Sequence, residues 1–271
     1  MAIKRVTLLG TSGVGKTTLS ALLSREGWYH YSGDYRIATT YLAMPIQEWL
    51  MDCLNQACSQ MDTSLAELYR AQAVALKAQV SIDNLAVVSQ FIGKLGQTGY
   101  SERVFRARQQ LFRRAELNAM LDVPLFIERA QRLGYDYFMN DAGGSVGELD
   151  ESALFAMLQA NTLIVYIHAE EELQQELLTR ALNYPKPICY HPDFLDEMIK
   201  DYAQRHQQKA DEFDSDDFIR FVMPKMMAHR RARYLQLAQR YGVVVNAKEC
   251  WQIRDHQDFQ ELLSKALGNK S

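Results

Sequence analysis

The sequence predicts an α/β fold built on a parallel sheet. Three observations lead there. Short apolar segments rich in β-branched and aromatic residues recur along the chain, helical patterns separate them, and the first segment runs straight into a glycine-rich turn and a helix. The strand candidates are Val6–Leu9, Trp28–Tyr31, Tyr135–Met139, Thr162–Ile167 and Val243–Val245. The third of them has an apolar continuation, Tyr137 to Asp141, that ends in a carboxylate.

The first helix follows from Leu19, Leu22 and Leu23 behind the glycine turn. Residues 45–133 depart from the alternation: a helical pattern runs on there with no convincing strand. Ser64 to Glu67 reads as a capping box, followed by an apolar face of Leu65, Leu68, Tyr69, Leu76 and Val80. A further helix is expected over Arg103 to Met120, with Val104, Phe105, Leu111, Phe112 and Ala115 inward. Between them, Gly93 to Gly99 reads as a flexible loop. The expected organisation is a core of residues 1–44 and 134–271 with a helical insertion at 45–133.

Composition narrows the function classes. The chain has 271 residues, 48% hydrophobic and 23% charged, which supplies a core and excludes wholesale disorder. The net charge of −3 gives no global reason to expect nucleic acid or a membrane surface as partner. Cys53, Cys58, Cys189 and Cys250 form no CxxC pair and no zinc pattern, which suits reduced thiols in the cytoplasm. Met1 to Gly10 lacks the features of a signal peptide, and no apolar run has the length of a membrane span.

Gly10-Thr11-Ser12-Gly13-Val14-Gly15-Lys16-Thr17 fits G-x-x-x-x-G-K-[ST] at every fixed position. Glycines let backbone N–H groups curl around phosphate oxygens, and the following helix offers its positive end. Lys16 supplies a point charge for the β- and γ-phosphates, and the Thr17 hydroxyl suits Mg²⁺. Asp34 follows the second strand, at the carboxyl end of a parallel sheet, where ligands bind. It can accept a proton from a substrate hydroxyl, serve the metal through water, or cap the helix that starts there. Asp141 ends the third strand in the arrangement that holds a metal beside such a loop. Gly143 and Gly144 either admit a ligand close to the backbone or make a tight turn.

Arg180, with Lys186 on a segment stiffened by Pro185 and Pro187, reads as a flap over a transferring phosphate or as an ordinary basic helix end. Arg230 and Tyr234 share a helix face while Arg231 points away, so Arg230 can reach the site or belong to a solvated basic face. Arg103, Arg106 and Arg108 cluster at a helix start. Either Arg106 meets an anionic acceptor, or these arginines are solvated or paired with Glu102 and Glu116. The run Asp211 to Asp217 reads as a solvated loop or helix start.

The order of these parts resembles the P-loop small-molecule kinases of the shikimate-kinase and nucleoside-monophosphate-kinase type. The matching pieces are Gly10 to Thr18, Ser32-Gly33-Asp34, Asn140 to Gly144, Leu163 to Ile167 with the helix through Arg180, and Arg230 to Tyr234 before Val243 to Ala247. They cover about half of the chain. The resemblance implies a three-layer P-loop NTPase fold with strand order 2-3-1-4-5. It also implies ATP with Mg²⁺, adenine against Asn246 and Ala247, and an acceptor near Gly143 and Gly144. The insertion is much longer than in small kinases, and Asp141-Ala142-Gly143-Gly144 has two glycines where the shikimate pattern has three. Two functions are expected: a kinase acting on a small-molecule acceptor, or a nucleotide-dependent ATPase or GTPase switch whose insertion binds a protein partner. Asp141-Ala142-Gly143-Gly144 fits the D-x-x-G of a GTPase, but Asn246-Ala247-Lys248-Glu249 is not a guanine signature, so ATP is favoured.

Overall fold

The computed structural model describes residues 2–59, 85–149 and 151–268. The expected capping box at Ser64 and the face from Leu65 to Val80 lie outside these. Strand β1 (Arg5–Leu9) leads into helix α1 (Lys16–Arg25), and β2 (Trp28–Ser32) into the short α2 (Gly33–Arg36). A π-helical turn at Ile37–Tyr41 is followed by α3 (Ala43–Cys58), α4 (Ala86–Ile92), α5 (Glu102–Leu121) and α6 (Val123–Arg132). Then come β3 (Tyr137–Asp141), α7 (Ser152–Asn161), β4 (Leu163–His168) and α8 (Glu171–Asn183). The chain closes with α9 (Pro192–His206), α10 (Ser215–Tyr241), β5 (Gly242–Asn246), α11 (Ala247–Cys250) and α12 (His256–Gly268).

All five strands are parallel, in the order β2-β3-β1-β4-β5. Alternation along each strand feeds two faces. In β4, Val165 and Ile167 join Leu19, Leu23, Phe259 and Leu263 on one side, while Ile164 and Tyr166 join Phe155, Tyr234 and Ala238 on the other. The sheet is therefore buried on both faces between helical layers, as its nearly continuous apolar strands require.

The third strand runs over Tyr137–Asp141, later than Tyr135–Met139. The Tyr135 amide instead closes the end of α6 on the Ala130 carbonyl, and its side chain is exposed. Helix α5 also corrects its expected face. Leu111 is exposed and Val104 half-buried, whereas Gln109 and Glu116 are buried alongside Phe105, Phe112 and Ala115. Phe105, Phe112 and Ala115 face inward as expected, while two polar positions take the places in the stripe that Val104 and Leu111 were expected to fill.

Gly93 to Gly99 is fastened rather than loose. Gly96 N donates to the Tyr100 carbonyl and Gln97 N to the Phe213 carbonyl. Gly96 has φ +110°, and a Cβ there would sit 2.2 Å from the Phe213 oxygen, so glycine is used for close approach rather than for freedom. Phe213 belongs to a third core of Leu95, Phe105, Tyr190, Phe194, Tyr202 and Phe218, which joins the start of α5 to α9 and α10. The acidic run serves that junction: Asp214 caps α10 by accepting from Asp216 N and Asp217 N.

Candidate functional site

The carboxyl ends of β1, β2 and β3 bring Lys16, Thr17, Asp34, Asp141, Gly143 and Gly144 together. The turn from Gly10 to Gly15 needs positive φ at Gly10, Gly13 and Gly15, at +151°, +92° and +100°. α1 begins at Lys16, so its first amides open onto this loop. The Lys16 ammonium curls back and donates to the Gly10 carbonyl at 2.7 Å and the Thr11 carbonyl at 3.4 Å. Burial pulls its basicity down, while the carboxylates of Asp141 and Asp34 oppose that shift.

Thr17 donates its hydroxyl to Asp141 Oδ2 at 2.9 Å, and His30 Nε2 stands 3.6 Å from the same oxygen. Among the described residues, no three or more His, Cys, Asp or Glu side chains are grouped to hold a metal. A hydroxyl beside one carboxylate still fits Mg²⁺, which is ordinarily bound by one or two carboxylates with the remaining positions filled by phosphate and water.

Asp34 is not the cap of its helix. Ser32 accepts the Tyr35 amide at 3.3 Å, leaving the Asp34 carboxylate directed elsewhere. Burial, reinforced by the charge of Asp141 and opposed by Lys16, pushes Asp34 up to about 6. A Cβ placed on buried Gly143 would lie 2.9 Å from Asp34 Oδ1 and 2.6 Å from Glu116 Oε1. Two carboxyl groups thus converge on one bare Cα. Gly144 is pressed against the loop, since a Cβ there would be 3.3 Å from Ser12 N.

Glu116 was expected only as a partner for arginines. It is 1% exposed and accepts from the Ser145 hydroxyl at 2.8 Å. Burial drives its carboxyl up to about 8, with the Ser145 hydrogen bond opposing and Asp34 adding to the rise. The signal was available: a single acid lies on a helix face otherwise made of Phe112, Ala115, Ala119 and Met120.

Arg230 is buried and committed. It donates to Glu148 Oε1 at 2.9 Å and to the Cys189 carbonyl, while His229 Nε2 stands 3.3 Å from Glu148 Oε2. Tyr234, one turn on, lies 3.1 Å from the Gly144 carbonyl and 3.2 Å from the Gly147 amide, so both residues brace the loop after β3. Arg231 faces away, onto Glu171.

Arg106 does not reach this place. It pairs with Glu102 and Asp196, and the ten helical steps from it to Glu116 span about 15 Å. Arg103 is exposed, and Arg108 lies over the Tyr100 and Phe91 rings.

Arg180 is exposed on α8 but close to the loop: a Cβ on Gly13 would meet Leu177 at 2.7 Å and an Arg180 guanidinium nitrogen at 4.0 Å. Lys186 is exposed. Asn246 caps α11 through the Lys248 amide and donates to Glu170, and Ala247 is fully buried. On the far side of the loop, unanticipated from sequence, Trp251 donates its indole N–H to the Val14 carbonyl at 3.0 Å.

Among the described residues, no helix is long and apolar enough to cross a membrane. The sequence matches no family model, and a comparison with curated proteins finds no match.

Proposed function

We propose that this chain is a P-loop kinase that moves the γ-phosphoryl group of ATP to a small-molecule acceptor. The observation that carries the reading is the Thr17–Asp141 hydrogen bond beneath the Gly10–Thr17 loop, with the Asp34 and Glu116 carboxyls beside it at Gly143. In this reading the loop amides and Lys16 hold the β- and γ-phosphates. Thr17 and Asp141 hold Mg²⁺, which supplies charge neutralisation when bound. Asn246 and Ala247 lie toward the base.

An acceptor hydroxyl seated at Gly143 attacks the γ-phosphorus, its proton passes to Asp34, and ADP leaves as the β–γ bridging bond breaks. A carboxyl at about 6 is mostly ionised at neutral pH and close enough to it to serve as a base. Arg180, next to Gly13, is placed to meet charge on the transferring group once the flap closes and water is excluded.

The acceptor side also narrows the acceptor's charge. Arg106 is paired far along α5, Arg230 is committed to Glu148 and Cys189, and the groups at Gly143 are carboxyls. A neutral or cationic hydroxyl compound suits that lining, in place of the anionic acceptor that the arginine cluster suggested. The test is to incubate the protein with ATP, Mg²⁺ and fractionated metabolites, following ADP release and new phosphorylated products by mass spectrometry. A product formed by the wild type and lost in Asp34→Asn supports the kinase. ATP hydrolysis to free phosphate, stimulated by a protein and yielding no phosphorylated metabolite, points to a regulatory switch.

A further inference from the structure

We propose that Trp251 is a positioning residue for the nucleotide's phosphates, acting through the Val14–Gly15 peptide. This rests on the phosphate-binding reading of the Gly10–Thr17 loop. In a trans peptide the carbonyl and the following N–H point in opposite directions. The Val14 carbonyl is drawn outward by the Trp251 indole N–H at 3.0 Å. The same peptide's other end, the Gly15 N–H, is therefore turned away from Trp251 and toward the concave side of the loop.

Gly15 gives the peptide little side-chain anchorage of its own. It has φ +100°, and a Cβ there would sit 2.7 Å from the indole nitrogen and 3.1 Å from its neighbouring carbon. Two things hold the plane: Val14, whose side chain is packed into the core, and the indole on its carbonyl. Trp251 is itself held, its amide donating to the Ala247 carbonyl at 3.0 Å in the turn that follows β5. It nevertheless remains 52% exposed, which leaves its emission sensitive to changes around it. The chain's other tryptophans are elsewhere: Trp28 is fully buried against His256, and Trp49 packs on Phe91.

A latch on the loop and a platform for the base make different demands. A latch affects any ligand held by the loop amides, with or without a base. A platform affects only ligands that carry one. The test measures affinity for Mg²⁺-ATP and for Mg²⁺-tripolyphosphate by calorimetry in wild type and Trp251→Phe, which keeps a ring and removes the donor. The expected result is a loss of about tenfold for both ligands, the scale of one hydrogen bond.

Loss for ATP alone overturns the latch in favour of a base platform, and no loss for either overturns it altogether. Wild-type protein that binds neither ligand overturns the phosphate-site reading itself, a distinct outcome. Should Trp251→Phe fold poorly, the wild type still decides. Tripolyphosphate alone is expected to change its tryptophan emission, because phosphate charge arriving at the Gly15 end of the peptide alters the field at the indole bonded to its Val14 end. Unchanged emission at saturating tripolyphosphate overturns the proposal.

Discussion

The Thr17 hydroxyl donates to the Asp141 carboxylate across 2.9 Å, although 124 residues separate the two in sequence. Register explains the meeting. β1 and β3 are neighbours with Leu8 opposite Asp141, so the loop leaving β1 and the acid ending β3 emerge side by side. Asp141→Asn should keep the fold and weaken ATP binding about tenfold or more in Mg²⁺, with little change in its absence. Calorimetric titration of ATP at several Mg²⁺ concentrations measures this; an unchanged Mg²⁺ dependence counts against the metal role.

Glu116 gives a prediction in pH. Its carboxyl lies at about 8 in the folded chain, against an ordinary 4.5 in the unfolded one. Between those values the folded state binds a proton that the unfolded state has lost, so stability falls as pH rises from 4.5 through 8. Gln is a neutral mimic without that liability. Glu116→Gln should match wild type near pH 4 and melt at least about 3 °C higher at pH 9. Thermal melts across the range check the sign, and a constant difference at every pH refutes the assignment.

Gly143→Ala tests where the acceptor sits. The backbone tolerates alanine, since this glycine has no positive φ, but the new methyl enters the space facing Asp34 and Glu116. Ser145 anchors Glu116, so it cannot simply swing aside. KM for the acceptor should rise about tenfold or more while ATP affinity stays within about twofold. Equal damage to both would place the acceptor elsewhere.

In the proposed mechanism Arg180 meets the transferring group only on closure, so Arg180→Ala should lower the acceptor-stimulated rate far more than ATP affinity. Comparing the single-turnover rate with equilibrium binding of ATP separates the two effects. An arginine that meets transferring phosphoryl charge contributes about a thousandfold or more in rate.

Much of this arrangement was legible in the sequence, because it depends on short-range pattern. Five apolar segments found five strands, and one glycine motif found the loop. The i to i+4 spacing put Arg230 and Tyr234 on one helix face and Arg231 on another, but only the packing of that helix shows the shared face to be buried. Other features depend on contacts between distant segments and left little local trace. Glu116 becomes chemically special only when α5 lays it on Ser145, which lies beyond β3. Trp251 reads as an unremarkable aromatic until β5 carries it back to Val14. Arg106 has an equally good local pattern and is consumed by Asp196 in a helix far downstream.

The docking of Gln97 on the Phe213 carbonyl has a consequence for how the chain is made. That bond spans more than a hundred residues, and the core around it draws Phe105 and Leu95 together with Phe194 and Phe218. During synthesis the start of α5 leaves the ribosome with its aromatic face uncovered, and the core around it is completed only after α9 and the beginning of α10 have emerged. Such high contact order makes completion of this lobe a late and slow event, after the local pairing of β1 with α1 has already become possible. Until then the chain carries exposed aromatic surface of the kind that promotes association between incomplete chains.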